Sequence, residues 1–526
     1  MSRDDLFPVV IIGSGLAGLS TAVHLAARDI PVLILEADSE WPGGRLAGGA
    51  PDTFEYAGQT WSFNSQHGIH ALWGGYDNMT AMFERFLAVE LRPSAGEEWI
   101  NRWGRHVTIV EAGNAVRRAW FPAPLHYLQL LFRPSFMRSI TWLDFLSLPG
   151  FLVSLMWVTG LDPIEEEIDL DGLMIEEFFR GWTPNLRATF RGLGHSLLAA
   201  PSEQITLTAF IAAMRFFTML RRDVWHLRYL PTNPHDCINI PMVERVRAAD
   251  GDILYGAHAK SVAQRDDYWL VRFEDTKHGT IRTLEAQHVI LAVDPPAAQA
   301  ILTTSPDTAP AAAQMRFPSA MRNATVRMWY STTPREGAPG GMFTGDFMVD
   351  NFFWLHRIQE DFIAWHEATG GSAIEVHLYV TDDVLRKPDE LLIVEAVKEV
   401  QTAFPELRGN FVYATVRRNN ATQTQFLIPK RGQSLFVDTP WPNLYACGDW
   451  VGYKNPALWM ERCTITGMAA ANHVLRNLGK PPFEIIPPRP PERSARLMGA
   501  GVRLGRRLVG QPILSAARTL RGKRQV

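Results

Sequence analysis

Apolar residues fall into two rhythms at the start of the chain. Val9–Ile12 is an unbroken β-branched run, which predicts a strand buried on both faces, and Val32–Leu35 predicts a second. Between them Leu19–Arg28 has helical composition. Gly13-Ser14-Gly15-Leu16-Ala17-Gly18 joins the first strand to the helix, and the second strand ends at Glu36, eighteen residues beyond Gly18. Glycines spaced G-x-G-x-x-G in this strand–turn–helix–strand context predict a dinucleotide site. Gly13 permits the tight turn, Gly15 lets the backbone approach a pyrophosphate, and Gly18 lets helix and strand pack closely, so that the positive helix N-terminus faces the phosphates. Glu36 is placed to accept from a ribose 2′-hydroxyl. Leu16, Ala17 and Ala37 flank these positions and belong to the expected binding set.

Farther along, Met79–Phe86 predicts a short amphipathic helix and Trp99–Ile109 a strand-forming region. Leu125–Leu161 is mainly apolar with Arg133 and Arg138 interspersed, which suits either a helical core or a lipophilic entrance lying on a membrane surface. Its longest apolar stretch, Phe145–Leu161, is at or below the length that crosses a bilayer and is interrupted by Pro149 and Gly150. Helical patterns recur over Leu170–Phe179, from Thr183-Pro184-Asn185, and over Ile205–Leu220. Tyr268–Glu274, Thr280–Leu284 and the buried-type run His288–Val293 predict strands. Val326–Tyr330 and Ala373–Val380 predict two more, without a recognisable catalytic pair, and Pro388–Phe404 predicts an amphipathic helix.

At 526 residues the chain is long enough for two to four domains, and 46% hydrophobic with 20% charged residues is a globular composition. Seventeen Trp and 28 Phe favour extensive apolar binding surface. A net charge of −3 predicts no nucleic-acid partner. Three cysteines, Cys237, Cys447 and Cys463, lack metal spacing and fit a reducing compartment. The first strand begins within eight residues of Met1, which leaves no room for a signal peptide, so a cytoplasmic location is expected. His67 and His70 sit three apart with no cluster to complete a coordination set, and no metal is expected. The end of the chain differs. Over Arg489–Val526 ten basic residues oppose one acid, Glu492, for a net +9, which leaves −12 for the remainder. Within Arg493–Gly510 the arginines fall on one helical arc and Leu497, Met498, Val502, Leu504, Leu508 and Val509 on the other, a membrane-surface pattern.

Several segments carry a resemblance. Trp41-Pro42-Gly43-Gly44-Arg45 is similar to the second glycine motif of FAD-dependent amine oxidases and carotenoid desaturases. Gly68, His70, Gly75, Tyr76 and Asn78, then Phe121-Pro122-Ala123-Pro124 and Asn239-Ile240-Pro241-Met242, resemble the plant and cyanobacterial phytoene and ζ-carotene desaturases. Val262 stands where family members contact the adenine through backbone. Gly448-Asp449 stands where they reach the flavin ribityl-phosphate, followed by Met460 and a small-residue helix, Thr464–Leu475. Two departures mark this last segment: Arg462 replaces the usual glycine, and the spacing from Asp449 to Met460 is one residue long.

The resemblance implies an α/β fold: a Rossmann-like FAD domain (1–100, 235–300, 430–480) with an inserted α+β substrate domain (101–234, 301–429), then a Pro-rich linker and basic tail (481–526). It implies FAD as cofactor and a lipophilic isoprenoid substrate, with desaturation of a carotenoid-type polyene by hydride transfer to flavin N5. A membrane quinone or oxygen would accept the electrons, since no second dinucleotide motif is apparent, and the protein would sit peripherally on the inner face of the membrane. His70, Trp450 and Tyr453 are the candidates near the ring by motif position. Redox-neutral chemistry on an isoprenoid (isomerisation, or dehydroxylation of the hydroxysqualene type), amine oxidation and a non-catalytic membrane flavoprotein stay open.

Overall fold

The computed structural model describes residues 6–170 and 172–510. Strand β1 (Leu6–Ile12) lies inside a seven-stranded sheet, paired in parallel with β2 (Val32–Glu36) on one side and with the strand Thr280–Leu291 on the other. Val9, Val10 and Ile11 are fully buried, as an unbroken β-branched run requires of a strand covered on both faces. Asp252–Tyr255 adds beyond β2, and Leu444–Ala446 adds in parallel to the end of Thr280–Leu291. The antiparallel strands Tyr268–Asp275 and Ala257–Arg265 complete the sheet. Helix α1 (Leu16–Ala26) is buried at every position, because the helices Trp459–Asn477 and Ile240–Arg247 and the sheet all pack on it. Both approaches need glycine. A Cβ on Gly18 would lie 2.1 Å from the Gly13 carbonyl oxygen, and one on Gly467 would lie 2.5 Å from that of Ala17.

A second seven-stranded sheet runs in the order Phe411–Thr424, Ala320–Tyr330, Ser372–Leu378, Asn351–Trp354, Gly340–Phe343, Glu97–Trp103, His106–Glu111. The period-2 alternation of its central strands sorts their side chains. Val326, Met328, Ile374 and Val376 pack with Leu392, Ala396 and Val400 of the helix Asp389–Ala403, while Thr325, Arg327, Glu375 and His377 occupy the alternate positions. The sequence expectations shift here in three places. Residues 97–111 form a hairpin in this second sheet, so its first strand straddles the expected boundary at residue 100. The runs expected as separate strands at 280–284 and 288–293 are one strand, Thr280–Leu291, because its first part pairs antiparallel and its end parallel. The helix expected over 205–220 is an α-helix, Leu207–Met214, that widens into a π turn, Arg215–Met219.

The apolar stretch after residue 124 folds into short helices, Leu125–Phe132, Pro134–Ser139 and Trp142–Ser147, then the longer Leu148–Gly160. Together Trp142–Gly160 is long and apolar enough, by length and composition, to cross a membrane, yet 44% of it is buried inside the fold. The basic amphipathic helix does form, over Arg493–Gly505, and it lies along Leu148–Gly160. Its docking face is narrower than its apolar arc: Ala495, Met498, Gly499 and Val502 turn inward, whereas Leu497, Leu504 and Leu508 are exposed. Residues 511–526 of the expected tail lie outside the described residues.

Candidate functional site

The glycine turn after β1, the second glycine run and the Gly448-Asp449 corner converge on a cavity of about 1160 Å³. Small-molecule sites are usually ~300–1,000 Å³, so there is room for a dinucleotide and a second ligand.

Gly13, at φ +100°, turns the chain out of β1 and donates its N–H to the Leu35 carbonyl at 2.8 Å. Gly15 begins α1 with no side-chain cap, and the first turn carries no acidic residue. Its unneutralised N–H groups therefore open on the cavity together with Leu16 and Ala17. A Cβ added to Gly15 meets nothing within 4 Å, which is the space a pyrophosphate needs. Gly18 lies behind the cradle and acts through packing. Glu36 and Ala37 line the next part of the wall. Glu36 Oε2 accepts the Ser14 N–H at 2.9 Å and also its hydroxyl, and Oε1 accepts the Asp38 N–H at 2.8 Å, leaving lone pairs for a ribose hydroxyl.

Gly43 and Gly44 both have positive φ, +119° and +56°. Asn239 clamps their turn, donating to the carbonyls of Pro42 at 3.0 Å and Leu46 at 2.7 Å. The turn sets Arg45 against Asp449, Nη2 to Oδ2 2.6 Å. Gly448 donates its N–H to Thr466 Oγ1 at 3.0 Å, and Asp449 Oδ1 accepts from Thr424 at 3.2 Å. Met460 and Cys463, in the first turns of the helix Trp459–Asn477, complete this wall.

Three residues expected here lie elsewhere or do something else. Val262 does not line the cavity; its N–H donates to Ser305 Oγ at 2.8 Å and its side chain is buried. Ala259, three residues earlier on the same strand, lines the wall instead, together with Lys260. Tyr453 is half-buried against the core, outside the lining. Arg462 also points away: its guanidinium donates to the carbonyls of Val451 (2.9 and 3.1 Å), Asn455 (3.1 Å) and Ala457 (3.2 Å). It therefore organises the loop after Asp449, and burial lowers its pKa to about 10. Its neighbour Glu461 is likewise turned inward. It accepts the N–H groups of Asn78 (2.9 Å) and Met79 (2.8 Å) at the start of the helix Asp77–Phe86, and burial raises its pKa to about 7.

Trp450 does line the cavity, fixed by its indole N–H on the Val293 carbonyl at 3.1 Å. So does His70, whose pKa is pulled down to about 4, by burial first and then by its neighbours, the Arg45 guanidinium among them. His67 Nε2 and His70 Nδ1 are buried without a hydrogen-bond partner, polar atoms free to meet a bound group.

The second sheet supplies the facing wall, which sequence reasoning missed. Asn323, Thr325, His377, Tyr379, Arg417 and Asn419 all face the cavity. In the register, Arg417, Thr325, His377 and Asn351 form one cross-strand row. Glu375 sits behind it, ion-paired to Arg327 at 3.0 Å, and accepts from His377 Nε2 at 3.0 Å. Its only sequence trace is the alternation Glu375-x-His377-x-Tyr379, which a strand converts into three side chains on one face. Beyond this polar floor the walls turn apolar and aromatic: Trp73, Trp99, Leu193, Leu197, Trp225 and Phe353.

The sequence model of the family described as flavin containing amine oxidoreductase matches residues 16–475. A carotenoid phi-ring synthase of Streptomyces griseus is 24% identical over 90% of this chain and 89% of its own length. A 15-cis-phytoene desaturase of Synechococcus elongatus is 21% identical over 89% of this chain and 95% of its own length. A carotenoid phi-ring synthase of Chlorobaculum tepidum is 27% identical, but the match spans 31% of this chain and only 25% of that protein. Among solved structures, the cyclohexylamine oxidase of Brevibacterium oxydans superposes with a TM-score of 0.61 at 14% identity, covering 90% of this chain and all of that one. An oxidoreductase of Methanosarcina mazei gives 0.60 at 14% identity, over 88% of this chain and 99% of that one. At these identities the likeness in structure speaks for the fold.

Proposed function

The chain belongs to the flavin-containing amine oxidoreductase family and is an FAD-dependent oxidoreductase, and on that premise we propose that it oxidises a carotenoid-type polyene by desaturation. The observation that carries this reading is the continuity of the cavity, from the glycine cradle, past the polar floor, into walls of Trp73, Trp99, Trp225 and Phe353. Such walls suit a long apolar substrate better than a hydrophilic one. The names of the relatives from Streptomyces and Synechococcus point to the same substrate class.

The chain's residues fit the cofactor. Gly13, Gly15, Leu16 and Ala17 would hold the pyrophosphate, Glu36 and Ala37 the ribose, and Ala259 the neighbourhood of the adenine. Gly43, Gly44, Arg45, Gly448, Asp449 and Met460 would hold the end nearer the substrate. FAD, when bound, supplies an acceptor for a hydride. The protein orients the polyene, keeps water away and receives a proton. Electrons then leave to a membrane quinone or to oxygen.

Reaching such a substrate calls for contact with a membrane, and the exposed apolar side chains favour it. Trp120, Phe132, Trp142 and Leu146 are all more than 60% exposed, as are Leu497 and Leu508 on the adjoining helix. The exposed Arg138, Arg493 and Arg496 supply charge for anionic headgroups. A lipophilic amine is the second reading, since the buried Glu97 carboxyl lies in the aromatic part of the cavity, accepting from Trp225 Nε1 at 3.0 Å.

The test is anaerobic flavin absorbance of the purified protein in liposomes carrying phytoene, ζ-carotene, a cyclic carotene, hydroxysqualene or a lipophilic amine in turn. Bleaching by one polyene and not by the amine is the expected result. Bleaching by the amine alone moves the substrate class, and a bound flavin that nothing bleaches overturns desaturation.

A further inference from the structure

Glu375, His377 and Tyr379 follow one another at alternate positions of a single extended segment, so their side chains share one face. They are hydrogen-bonded in series: Glu375 Oε1 to His377 Nε2 at 3.0 Å, and His377 Nδ1 to Tyr379 Oη at 2.9 Å. His377 and Tyr379 line the cavity. Glu375 is buried behind them and fixed from two more sides, by Arg327 at 3.0 Å on Oε2 and by the Ile69 N–H at 2.8 Å on Oε1. Burial alone would raise this carboxyl's pKa, but the His377 hydrogen bond and the Arg327 charge hold it down to about 2. An ionised Glu375 can only accept, so a neutral His377 must place its one proton on Nε2. Its Nδ1 is then an acceptor, and the Tyr379 hydroxyl donates to it. Burial, with the charges of Asp350 and Glu375, drives the Tyr379 phenol well above its usual range, so it remains protonated until its proton has somewhere to go.

We propose that Glu375, His377 and Tyr379 form a proton-accepting triad for the reaction in this cavity, with the Tyr379 hydroxyl meeting the substrate. The proposal rests on the desaturation reading. In that reaction one C–H bond breaks with its electron pair leaving as hydride to bound FAD. On the neighbouring carbon a second C–H bond gives its electron pair to the new double bond and its proton to Tyr379 Oη. The proton already on Tyr379 passes to His377 Nδ1, and the imidazolium so formed faces the Glu375 carboxylate. Two electrons and one proton are moved with the hydride, one proton ends on His377, and its release to water resets the triad. The logic is that of a serine–histidine–aspartate triad with a phenol in place of the alcohol. Tyr379 is the catalytic residue in this scheme, and Glu375 is a positioning residue.

Two measurements on the full-length holoprotein test it. The first needs no substrate: ¹⁵N NMR of imidazole-labelled protein, with the His377 signals among those of the 15 histidines identified by their loss in His377→Gln. The expected result is the Nε2–H tautomer, with a hydrogen-bonded Nδ1 whose resonance moves in Tyr379→Phe. An Nδ1–H tautomer, or an Nδ1 resonance indifferent to Tyr379→Phe, overturns the triad. The second is rapid-mixing flavin reduction by whichever polyene bleaches the wild type. Tyr379→Phe keeps the ring and should keep bound flavin, while slowing bleaching by about 10²–10⁴-fold. A wild-type rate in that variant overturns the proton-accepting role. If no polyene bleaches the wild type, the desaturation reading fails, and with it the triad's role as a proton acceptor for that reaction, whatever tautomer NMR shows.

Discussion

Arg45 and Asp449 are 404 residues apart in sequence and 2.6 Å apart in space, and their ion pair joins the second glycine run to the C-terminal corner of the same cavity. Asp449 is buried, so removal of its partner leaves a carboxylate that burial penalises. Arg45→Met should cost roughly 3–5 kcal/mol in the apoprotein and release flavin on gel filtration. A denaturant titration paired with the 450-nm absorbance of the eluted protein checks both.

Gly15 and Gly18 separate binding from packing. A side chain at Gly15 enters open cavity, so Gly15→Val should yield a folded, colourless protein with an unchanged far-UV spectrum. At Gly18 even a methyl group would meet the Gly13 carbonyl, so Gly18→Ala should lower the melting temperature whether or not flavin is present. A yellow Gly15→Val protein would sink the assignment of the pyrophosphate cradle.

Arg462→Gly removes a guanidinium that is buried at the start of the helix Trp459–Asn477. Because Arg462 serves the carbonyls of Val451, Asn455 and Ala457, the loss should appear as roughly 3–5 kcal/mol of stability, with the flavin spectrum retained. A shifted flavin absorbance maximum at unchanged stability would instead place the guanidinium beside the ring.

Acid should destabilise the fold. Burial lowers the pKa of His24 and His126 from 6.5 to about 4 and that of His356 to about 3, so the folded chain holds all three neutral. Their stabilising effect is complete above 6.5 and is lost as pH falls toward 4, about 2 kcal/mol each by pH 5. Glu461 works the other way. Its raised pKa stabilises below 4.5, and that contribution is lost as pH climbs through about 7, so acidification to pH 5 returns about 2 kcal/mol. Three histidines outweigh one carboxyl, and the melting temperature should be lower at pH 5 than at pH 7. Equal melting temperatures would mean that these imidazoles reach water in the folded state.

The exposed apolar face can be tested without touching the cavity. Trp142, Leu146 and Leu497 are solvent-facing, so a triple serine variant should fold normally and retain flavin. Its sedimentation with anionic liposomes should fall at least tenfold, and undiminished sedimentation would remove this face as the docking surface.

The glycine-rich half of the cavity was legible in the sequence because its requirements are local. Gly13, Gly15 and Glu36 are set by backbone approach and by the length of one strand–helix–strand unit, and all three line the cavity. Tyr453 and Arg462 lie outside the lining because motif position gives proximity along the chain, not the direction of a side chain, and Val262 lies outside it with its backbone N–H taken by Ser305 Oγ. A strand turns alternate residues to opposite faces and a helix turns Arg462 about 100° from Glu461. The polar floor was invisible for a related reason. Whether Glu375, His377 and Tyr379 face the cavity or the helix Asp389–Ala403 depends on how the second sheet is laid against the first, which no window of one strand encodes.

The pairing of β1 on both edges also dictates an order of events as the chain is made. Val32–Glu36 is available to β1 almost at once, but Thr280–Leu291 is the other neighbour, so one edge of that strand stays bare while more than half of the polypeptide is synthesised. The Gly448-Asp449 corner comes later still. Closing loops of that length costs entropy that grows only slowly with the number of residues enclosed, so waiting adds little to the thermodynamic cost. It does lengthen the time during which an apolar strand edge is exposed on the ribosome. Translation rate, chaperone supply and flavin supply near the end of synthesis should therefore govern how much of this protein reaches its holo form.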